Sequence, residues 1–399
     1  MRPRLHLATT VPQSLDSLLV GQPAYLSRQF DVTVISSPGD RLDAVADREG
    51  VAAFGVEMKR AVTPLADVAA LWQLCRWFRR TRPQLVQSYT PKAGLLVMAA
   101  AALARVPVRV HGIVGMPLME ASGLRRQLLL AAERATYALS TRLTCNSTGL
   151  RSWVLDHVSS ARRIDVIGEG SINGVDPARY RPADANARAS ARRLFGIDED
   201  ATVILYAGRL VGDKGIGELL LAFEQLRSEH DDVVLLLVGS AEPERDPLSE
   251  QAAQLLRSSD GIVNVGWCDD VRPYYSAADI FALPSYREGL PNALLEASAC
   301  GLACVATDIN GCNEVVADAE TGLLIPVRDS AALASALERL LDVDLRARLG
   351  CAARRRVRER YDQRLFWESL LDFYRSVVRP AADQRASDRG SFVDGSGAA

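Results

Sequence analysis

Short uninterrupted apolar runs alternate along this chain with longer stretches in which apolar residues recur every three or four positions. The first pattern predicts strands and the second helices. In the first half, 5–8, 32–36, 85–88, 108–111 and 143–146 read as strands, and 15–28, 94–104 and 124–139 as helices. The strand runs lack polar alternation, as expected of strands buried on both faces. Strand–helix alternation of this kind predicts a parallel sheet covered by helices. The turn-rich segment GEGSINGVD at 168–176, followed by Pro177 and Pro182, marks a boundary. The pattern then restarts, with strands at 202–206, 233–238, 280–283 and 303–306 and helices at 216–227 and 293–299. Residues 331–378 read as helical, and Phe366, Leu370, Phe373, Tyr374 and Val377 recur on one face.

The expected fold is therefore α/β, with two facing doubly wound domains over 1–175 and 176–360. A helix at 361–379 is expected to pack back on the first domain. The Ala-, Ser-, Gly-, Asp- and Arg-rich tail at 380–399 is expected to be disordered. Ligands of such sheets sit outside the carboxyl ends of the strands, so the crevice between the domains is the expected site.

Composition narrows the class. Of 399 residues, 48% are apolar and 24% charged, which excludes a wholly disordered chain and a small disulfide scaffold. The net charge of −2 gives no argument for nucleic acid as a partner. Its distribution is uneven: residues 1–175 carry 21 Lys and Arg against 13 Asp and Glu, and the remainder 26 against 36. Either the halves face different partners or the charges are scattered over solvated faces. The seven cysteines are odd in number and lack zinc-finger spacing, and Cys300 and Cys304 stand in an apolar stretch. They read as buried thiols in a reducing compartment. The N-terminus has no apolar segment of signal-peptide length, and the longest apolar run, 95–104, is too short to span a bilayer. The expectation is a cytoplasmic protein, with a peripheral membrane role open.

The chemistry-bearing residues fall in a few segments. In PSYREGLPNALLE (284–296), Glu288 follows a predicted strand, and Glu296 lies in a helix that Pro291 can open. The backbone N–H groups of Gly289 and Leu290 at the positive helix end suit phosphate. Each carboxylate can accept both hydroxyls of a vicinal diol; the other reading is a loop glutamate and a surface helix glutamate. Gly208-Arg209 ends another strand, and Lys214-Gly215 opens the next helix. Two cations at that edge suit a diphosphate, Arg bidentately and Lys as a point charge, or they are surface charge. In the first half, His111 ends a predicted strand before Gly112, and Lys92 opens the helix after strand 85–88. Trp72, Arg76, Trp77, Arg79, Arg80 and Arg82 cluster on one helix end, and Arg125 and Arg126 open another. They form either an interfacial patch facing anionic lipid or a helix packed by its tryptophans with its arginines in water.

Taken in order, Gly208-Arg209-Leu210, Lys214-Gly215, Val238-Gly239, YSAAD at 275–279, Pro284-Ser285, Glu288-Gly289, Glu296-Ala297, Gly301, Gly311, Glu314-Val315 and Thr321-Gly322 resemble the nucleotide-sugar half of the family 4 retaining glycosyltransferases, which have the GT-B fold. The match is close over 200–330 and looser to 378. The resemblance implies that Arg209 and Lys214 hold the donor diphosphate, that Glu296 accepts the ribose hydroxyls and that Glu288 meets the donor hexose. It implies that the Gly289 and Leu290 amides line sugar and phosphate, and that Gly239 lets the nucleoside lie against the backbone; Gly208 and Gly215, lacking a Cβ, would let the ligand approach the backbone closely. It places Arg272 either near the base or as a surface helix residue. His111 would contact the donor sugar or polarise the reacting hydroxyl, or be a satisfied or merely exposed histidine, and Lys92 would hold the acceptor diphosphate or be a surface lysine. No metal or other cofactor is implied, because Arg209 and Lys214 already neutralise the diphosphate.

Thr10-Val11-Pro12, Thr90-Pro91-Lys92, His111-Gly112 and the 170–176 segment resemble the subgroup that extends polyprenyl-diphosphate-linked or surface-polysaccharide sugars. Many family members carry paired glycines in the first strand–helix loop. Here that loop, ATTVPQS at 8–14, has none. The implied activity is retaining transfer of a hexose or N-acetylhexosamine from a nucleoside diphosphate sugar, UDP foremost, to a lipid-linked or glycan acceptor. The rival readings are a nucleotide-sugar epimerase of the same fold and a non-catalytic sugar-nucleotide-binding subunit.

Overall fold

The computed structural model of the chain describes residues 2–390, except 60, 62, 160–162, 243 and 245, and from residue 379 onward the backbone alone. The apolar runs become two all-parallel sheets. The first contains β1 (Arg4–Ala8), β2 (Asp31–Ser36), β3 (Ala52–Gly55), β4 (Leu85–Ser88), β5 (Val108–Ile113), β6 (Arg142–Cys145) and β7 (Ile164–Val166), in the order β3-β2-β1-β4-β5-β6-β7. The second contains β8 (Thr202–Ala207), β9 (Val233–Val238), β10 (Ile262–Gly266), β11 (Ile280–Leu283), β12 (Ala303–Thr307) and β13 (Leu323–Ile325), in the order β10-β9-β8-β11-β12-β13. Each sheet winds outward one way, returns, and winds out the other way, which is the doubly wound Rossmann-like arrangement. The winding reverses between β1 and β4, where Leu5 stands opposite Leu85, and between β8 and β11, where Ile280 stands opposite Ile204.

All nine strands predicted from apolar runs are present. The four not predicted, β3, β7, β10 and β13, are the two edges of each sheet. Edge strands are short and part-exposed, so their apolar runs are broken or brief: β10 reads IVNVG and has no fully buried residue, and the apolar run of β13, LLI, is three residues long.

Contacts divide the chain into two compact units. One comprises Met1–Asn146, Leu150–Asn173 and the chain from Arg364 on; the other comprises Ser147–Gly149 and Gly174–Gln363. In the first, Leu5, Leu7, Val34, Leu85 and Val110 pack with Phe366, Leu370 and Tyr374 of the helix Gln363–Gly390. The indole Nε1 of Trp367 donates to Asn173 Oδ1 at 2.7 Å, and the buried Tyr374 hydroxyl donates to Gln87 Oε1. In the second, Val203–Tyr206 of β8 and Leu235–Leu237 of β9 are covered by Phe223, Leu294 and Leu337. None of the seven cysteines is in a disulfide, and five of them are buried. Among the described residues no helix is long and apolar enough to cross a membrane.

Three expectations need correction. The predicted helix 15–28 is two short helices, Pro12–Leu18 and Gln22–Leu26, because Pro23 cannot donate to continue the first and fits the opening turn of the second. Residues 331–378 are three helices, Ser330–Arg339, Val343–Arg360 and the start of Gln363–Gly390; Asp329 and Asp342 cap the first two. The tail expected to be disordered from 380 overlaps the last helix, which runs to Gly390. Its Ala, Gln and Arg residues extend a helix already nucleated by packing upstream. The rest of that tail, 391–399, lies outside the described residues.

Candidate active site

The carboxyl ends of β8 and β11 carry the predicted donor residues. These strands are neighbours where the second sheet reverses its winding, so the loops leaving them face each other. One loop runs from Gly208 to Gly215, before the helix Ile216–Arg227. The other runs from Pro284 to Pro291, before the helix Asn292–Ala299. Lys214 Nζ lies 2.5 Å from Glu288 Oε1, and both side chains are largely buried. The Tyr286 N–H donates to the Asp213 carbonyl at 2.9 Å, and the Arg287 guanidinium donates to the Asp213 carboxylate. Gly215 makes this closeness possible: at φ +68°, a Cβ there would lie 2.1 Å from the Pro284 carbonyl oxygen.

Arg209 Nη1 donates to Glu242 Oε2 at 3.0 Å, and the Asp213 N–H donates to Asp246 Oδ2 at 2.6 Å. Both acids follow β9. Gly208 and Gly239 meet one another: Gly239 has φ +142°, and a Cβ there would lie 1.8 Å from the Gly208 carbonyl oxygen. The close backbone approach that Gly239 permits in this structure is thus to Gly208.

Glu296 sits one turn into its helix with a solvent-exposed edge. The Tyr275 hydroxyl donates to its Oε2 at 2.9 Å. Burial pushes its pKa up to about 7, against the opposing effect of the Tyr275 and Tyr180 hydroxyls. Leu290 packs its side chain into the core, and Gly289 precedes it in the turn. No side chain caps the start of the helix they lead into. Arg272 makes its contacts elsewhere. Its guanidinium grips Asp270 with two bonds of 2.8 and 2.7 Å, half exposed, at a depression lined also by Arg179 and Arg181.

Four buried side-chain polar atoms of the second unit lack a hydrogen-bond partner: Asp213 Oδ1, Ser285 Oγ, Arg287 Nε and Asn292 Oδ1. Among the described residues these are all that the unit has, and all lie in the two loops or at the helix start beside them. Buried unsatisfied groups are scarce in folded proteins and call for a local reason.

In the first unit, His111 does not end its strand; β5 continues to Ile113. Its ring is buried, with Nδ1 2.9 Å from Ser88 Oγ, and burial lowers its pKa to about 4, so it is neutral at ordinary pH. Lys92 Nζ is 2.7 Å from Asp67 Oδ1 and donates to Thr63 Oγ1 at 3.2 Å, so it already has a counter-ion. The glycine-free loop after β1 is tied to the start of the helix Pro91–Leu103. Thr10 Oγ1 lies 2.7 Å from Thr90 Oγ1 and accepts from the Ala93 N–H at 3.2 Å. The two tryptophans read together in sequence separate. Trp77 stacks on Phe54 at 4.0 Å, whereas Trp72 is exposed with Arg76 over its ring.

Asp213, Arg287, Glu242 and Asp246 belong to the candidate site by their contacts and were not singled out in the sequence; Tyr275 was named there only as part of a motif. One signal was available: the loops carry adjacent opposite charges in reversed order, Asp213-Lys214 and Arg287-Glu288.

Two family models match the chain: a glycosyl transferase 4-like domain over residues 23–170 and glycosyl transferases group 1 over residues 201–343. The capsular polysaccharide biosynthesis glycosyltransferase CapM of Staphylococcus aureus is 29% identical over 377 residues, 94% of this chain and 97% of its own. An Escherichia coli UDP-Gal:alpha-D-GlcNAc-diphosphoundecaprenol alpha-1,3-galactosyltransferase is 27% identical, covering 79% of this chain and 81% of its own. Among solved structures, Anabaena HepE in complex with UDP and glucose superposes with a TM-score of 0.80 at 17% identity, over 94% of this chain and all (100%) of that one. Sucrose-phosphate synthase from Thermosynechococcus elongatus superposes with a TM-score of 0.77 at 21% identity, again over 94% and 100%. These likenesses show the fold.

Proposed function

This chain belongs to the family 4 glycosyltransferases of GT-B fold that serve surface-glycan synthesis, and from that premise we propose the reaction it performs. It moves a hexose or N-acetylhexosamine from a UDP-sugar to a polyprenyl-diphosphate-linked or polysaccharide acceptor, retaining the anomeric configuration. The observation that carries this reading is the pairing of Lys214 with Glu288 across the β8 and β11 loops, with Arg209 at the head of the same loop. A cation that can leave a carboxylate for a diphosphate, beside a carboxylate that can accept sugar hydroxyls, suits a donor of this kind. The activity for which the Escherichia coli relative is named supports the donor and the acceptor class.

In the proposed step the bond between the anomeric carbon and the diphosphate oxygen breaks as the acceptor oxygen bonds on the same face. The acceptor proton passes to a donor phosphate oxygen and UDP departs. Arg209 and Lys214 offset the charge that builds on UDP. Glu296 accepts the ribose hydroxyls and Glu288 a sugar hydroxyl, while the Gly289 and Leu290 amides approach the phosphate. His111, neutral and held by Ser88, offers a hydrogen bond and no charge. Lys92 reaches an acceptor diphosphate only by leaving Asp67.

Peripheral contact with an anionic membrane belongs to the same proposal. Its support is a set of bare apolar side chains in the first unit: Leu65 (90% exposed), Val68 and Trp72 on the helix Pro64–Thr81, and Leu124 and Leu128 on the helix Gly123–Leu139. Arg76, Arg79, Arg125 and Arg126 accompany them on these two helices. Apolar groups ringed by cations suit a lipid–water interface.

The test incubates purified protein with UDP-glucose, UDP-galactose or UDP-N-acetylglucosamine and an undecaprenyl-diphosphate-linked N-acetylglucosamine. Expected is acceptor-dependent UDP release and an α-linked product, with the rate indifferent to EDTA. Sugar interconversion without acceptor would reveal an epimerase, a β-linked product would remove retention, and loss of activity in EDTA restored by Mg²⁺ would remove the metal-free mechanism.

A further inference from the structure

Lys214 and Glu288 are accounted for by the donor reading; the ion pair beside them is not. Asp213 precedes Lys214 and Arg287 precedes Glu288, and the Asp213 carboxylate meets the Arg287 guanidinium across the same two loops. The two bridges are consecutive and of reversed polarity. A slip of one residue would set Asp213 against Glu288 or Lys214 against Arg287, like charge against like, so the charge order specifies one register of the loops.

We infer that the Asp213–Arg287 pair is a clamp that fixes the separation of these loops, and so the position of Lys214, when a donor diphosphate draws Lys214 away from Glu288. The inference rests on the donor reading. The Lys214 ammonium has one charge and three N–H donors to share between Glu288, now at 2.5 Å, and an entering diphosphate, so donor entry weakens one of the two side-chain bridges. What then joins the loops is the clamp and the Tyr286–Asp213 backbone bond of 2.9 Å.

Both ends of the clamp are anchored. Asp213 is held through its own N–H by Asp246 at 2.6 Å. Next to Arg287, the Tyr286 hydroxyl donates to Glu218 Oε1 at 2.6 Å, and the Arg328 guanidinium lies 4.3 Å from the Tyr286 ring centre. The Asp213 and Arg287 side chains are only 15% and 25% exposed, so water screens the pair less than a surface bridge. The pair also makes one bond where a guanidinium and a carboxylate can make two. Arg287 Nε and Asp213 Oδ1, the donor and acceptor left over, are both buried without partners. Asp213 and Arg287 are thus positioning residues that act through Lys214.

The test is calorimetry on the full chain with UDP and with UMP, which lacks the second phosphate, alongside melting temperatures. GDP and ADP serve as further nucleoside diphosphate probes of the wild type. Asp213→Asn and Arg287→Gln should each weaken UDP binding about tenfold while moving UMP affinity by less than about threefold, within the range of coupled charge pairs. The double variant should be no worse than either single one, and the exchanged pair Asp213→Arg with Arg287→Asp should recover most of the loss. Arg287→Lys keeps the charge without the fork and should fall between; it also gives a reading if a neutral variant fails to fold. Equal loss of UDP and UMP binding, losses that add in the double variant, or unchanged preference for UDP over UMP would overturn the clamp alone. A wild type that binds none of UDP, GDP and ADP would overturn the donor reading and the clamp with it.

Discussion

Under the proposed donor reading, Glu296 is the residue whose ionisation bears most directly on binding. Burial outweighs the tyrosine hydroxyls around it and holds its pKa near 7, so it is largely protonated at pH 6 and largely ionised at pH 8. Ribose hydroxyls donate to the ionised form. UDP binding should therefore draw the proton off, and affinity should rise with pH across this window. The phosphate of UDP titrates nearby as well, so the informative quantity is the ratio of wild-type to Glu296→Gln affinity, in which that contribution cancels. The ratio should grow between pH 6 and pH 8 and reach about tenfold, as a charge-assisted hydrogen bond supplies. A ratio that is flat with pH in isothermal titrations would take Glu296 out of the ribose role. Glu288 and Arg209 were legible as candidates because they stand in loops that follow strands, in a recognisable order. Asp213 and Arg287 were not, because the reversed charge order of the two loops is local but which loops meet, 74 positions apart, is not.

Among the elements, the helix Gln363–Gly390 returns to the first sheet after the whole second unit has been built. Its apolar face was readable from the spacing of Phe366, Leu370 and Tyr374. The polar contacts that fix its register, Tyr374 to Gln87 and Trp367 to Asn173, were not, because each joins residues far apart in sequence. Tyr374→Ala should destabilise the first unit by about 3–5 kcal/mol, the usual cost of emptying a buried aromatic site. Tyr374→Phe should cost about 1–3 kcal/mol by leaving the Gln87 oxygen buried and unpaired. Urea denaturation followed by near-UV circular dichroism measures both, and equal midpoints for the two variants would show that the ring is not packed as described.

For the whole molecule, the uneven charge now has a structural companion. The excess of cations falls in residues 1–175, the part of the chain that also carries the bare Leu65, Val68, Trp72, Leu124 and Leu128. Each cation near an anionic surface contributes about 1 kcal/mol, screened over about 10 Å at 0.1 M salt, whereas apolar insertion is insensitive to salt. Sedimentation with phosphatidylglycerol vesicles should be strong at low salt and weaken as salt rises. Combined Leu65→Ser, Trp72→Ser and Leu124→Ser changes should lower binding at every salt concentration and leave UDP affinity unchanged. Equal sedimentation with neutral and anionic vesicles would end the electrostatic part of the proposal.

From the sequence alone came the nine inner strands, the two-domain α/β architecture and the order of the donor motifs. Inner strands are buried on both faces, so their apolar runs are local, and the motif residues stand in single loops where the chain leaves a strand. The tertiary structure decided what depends on distant partners. The edge strands β3, β7, β10 and β13 are fixed by the neighbour that offers hydrogen bonds, since their own apolar runs are broken or too short to mark them. His111 proved to be a buried neutral ring within β5, since how far a strand runs depends on its pairing with β6. Gly239 is required by the Gly208 carbonyl of the adjoining strand end, and Lys214 meets Glu288 because β8 and β11 are neighbours where the winding reverses.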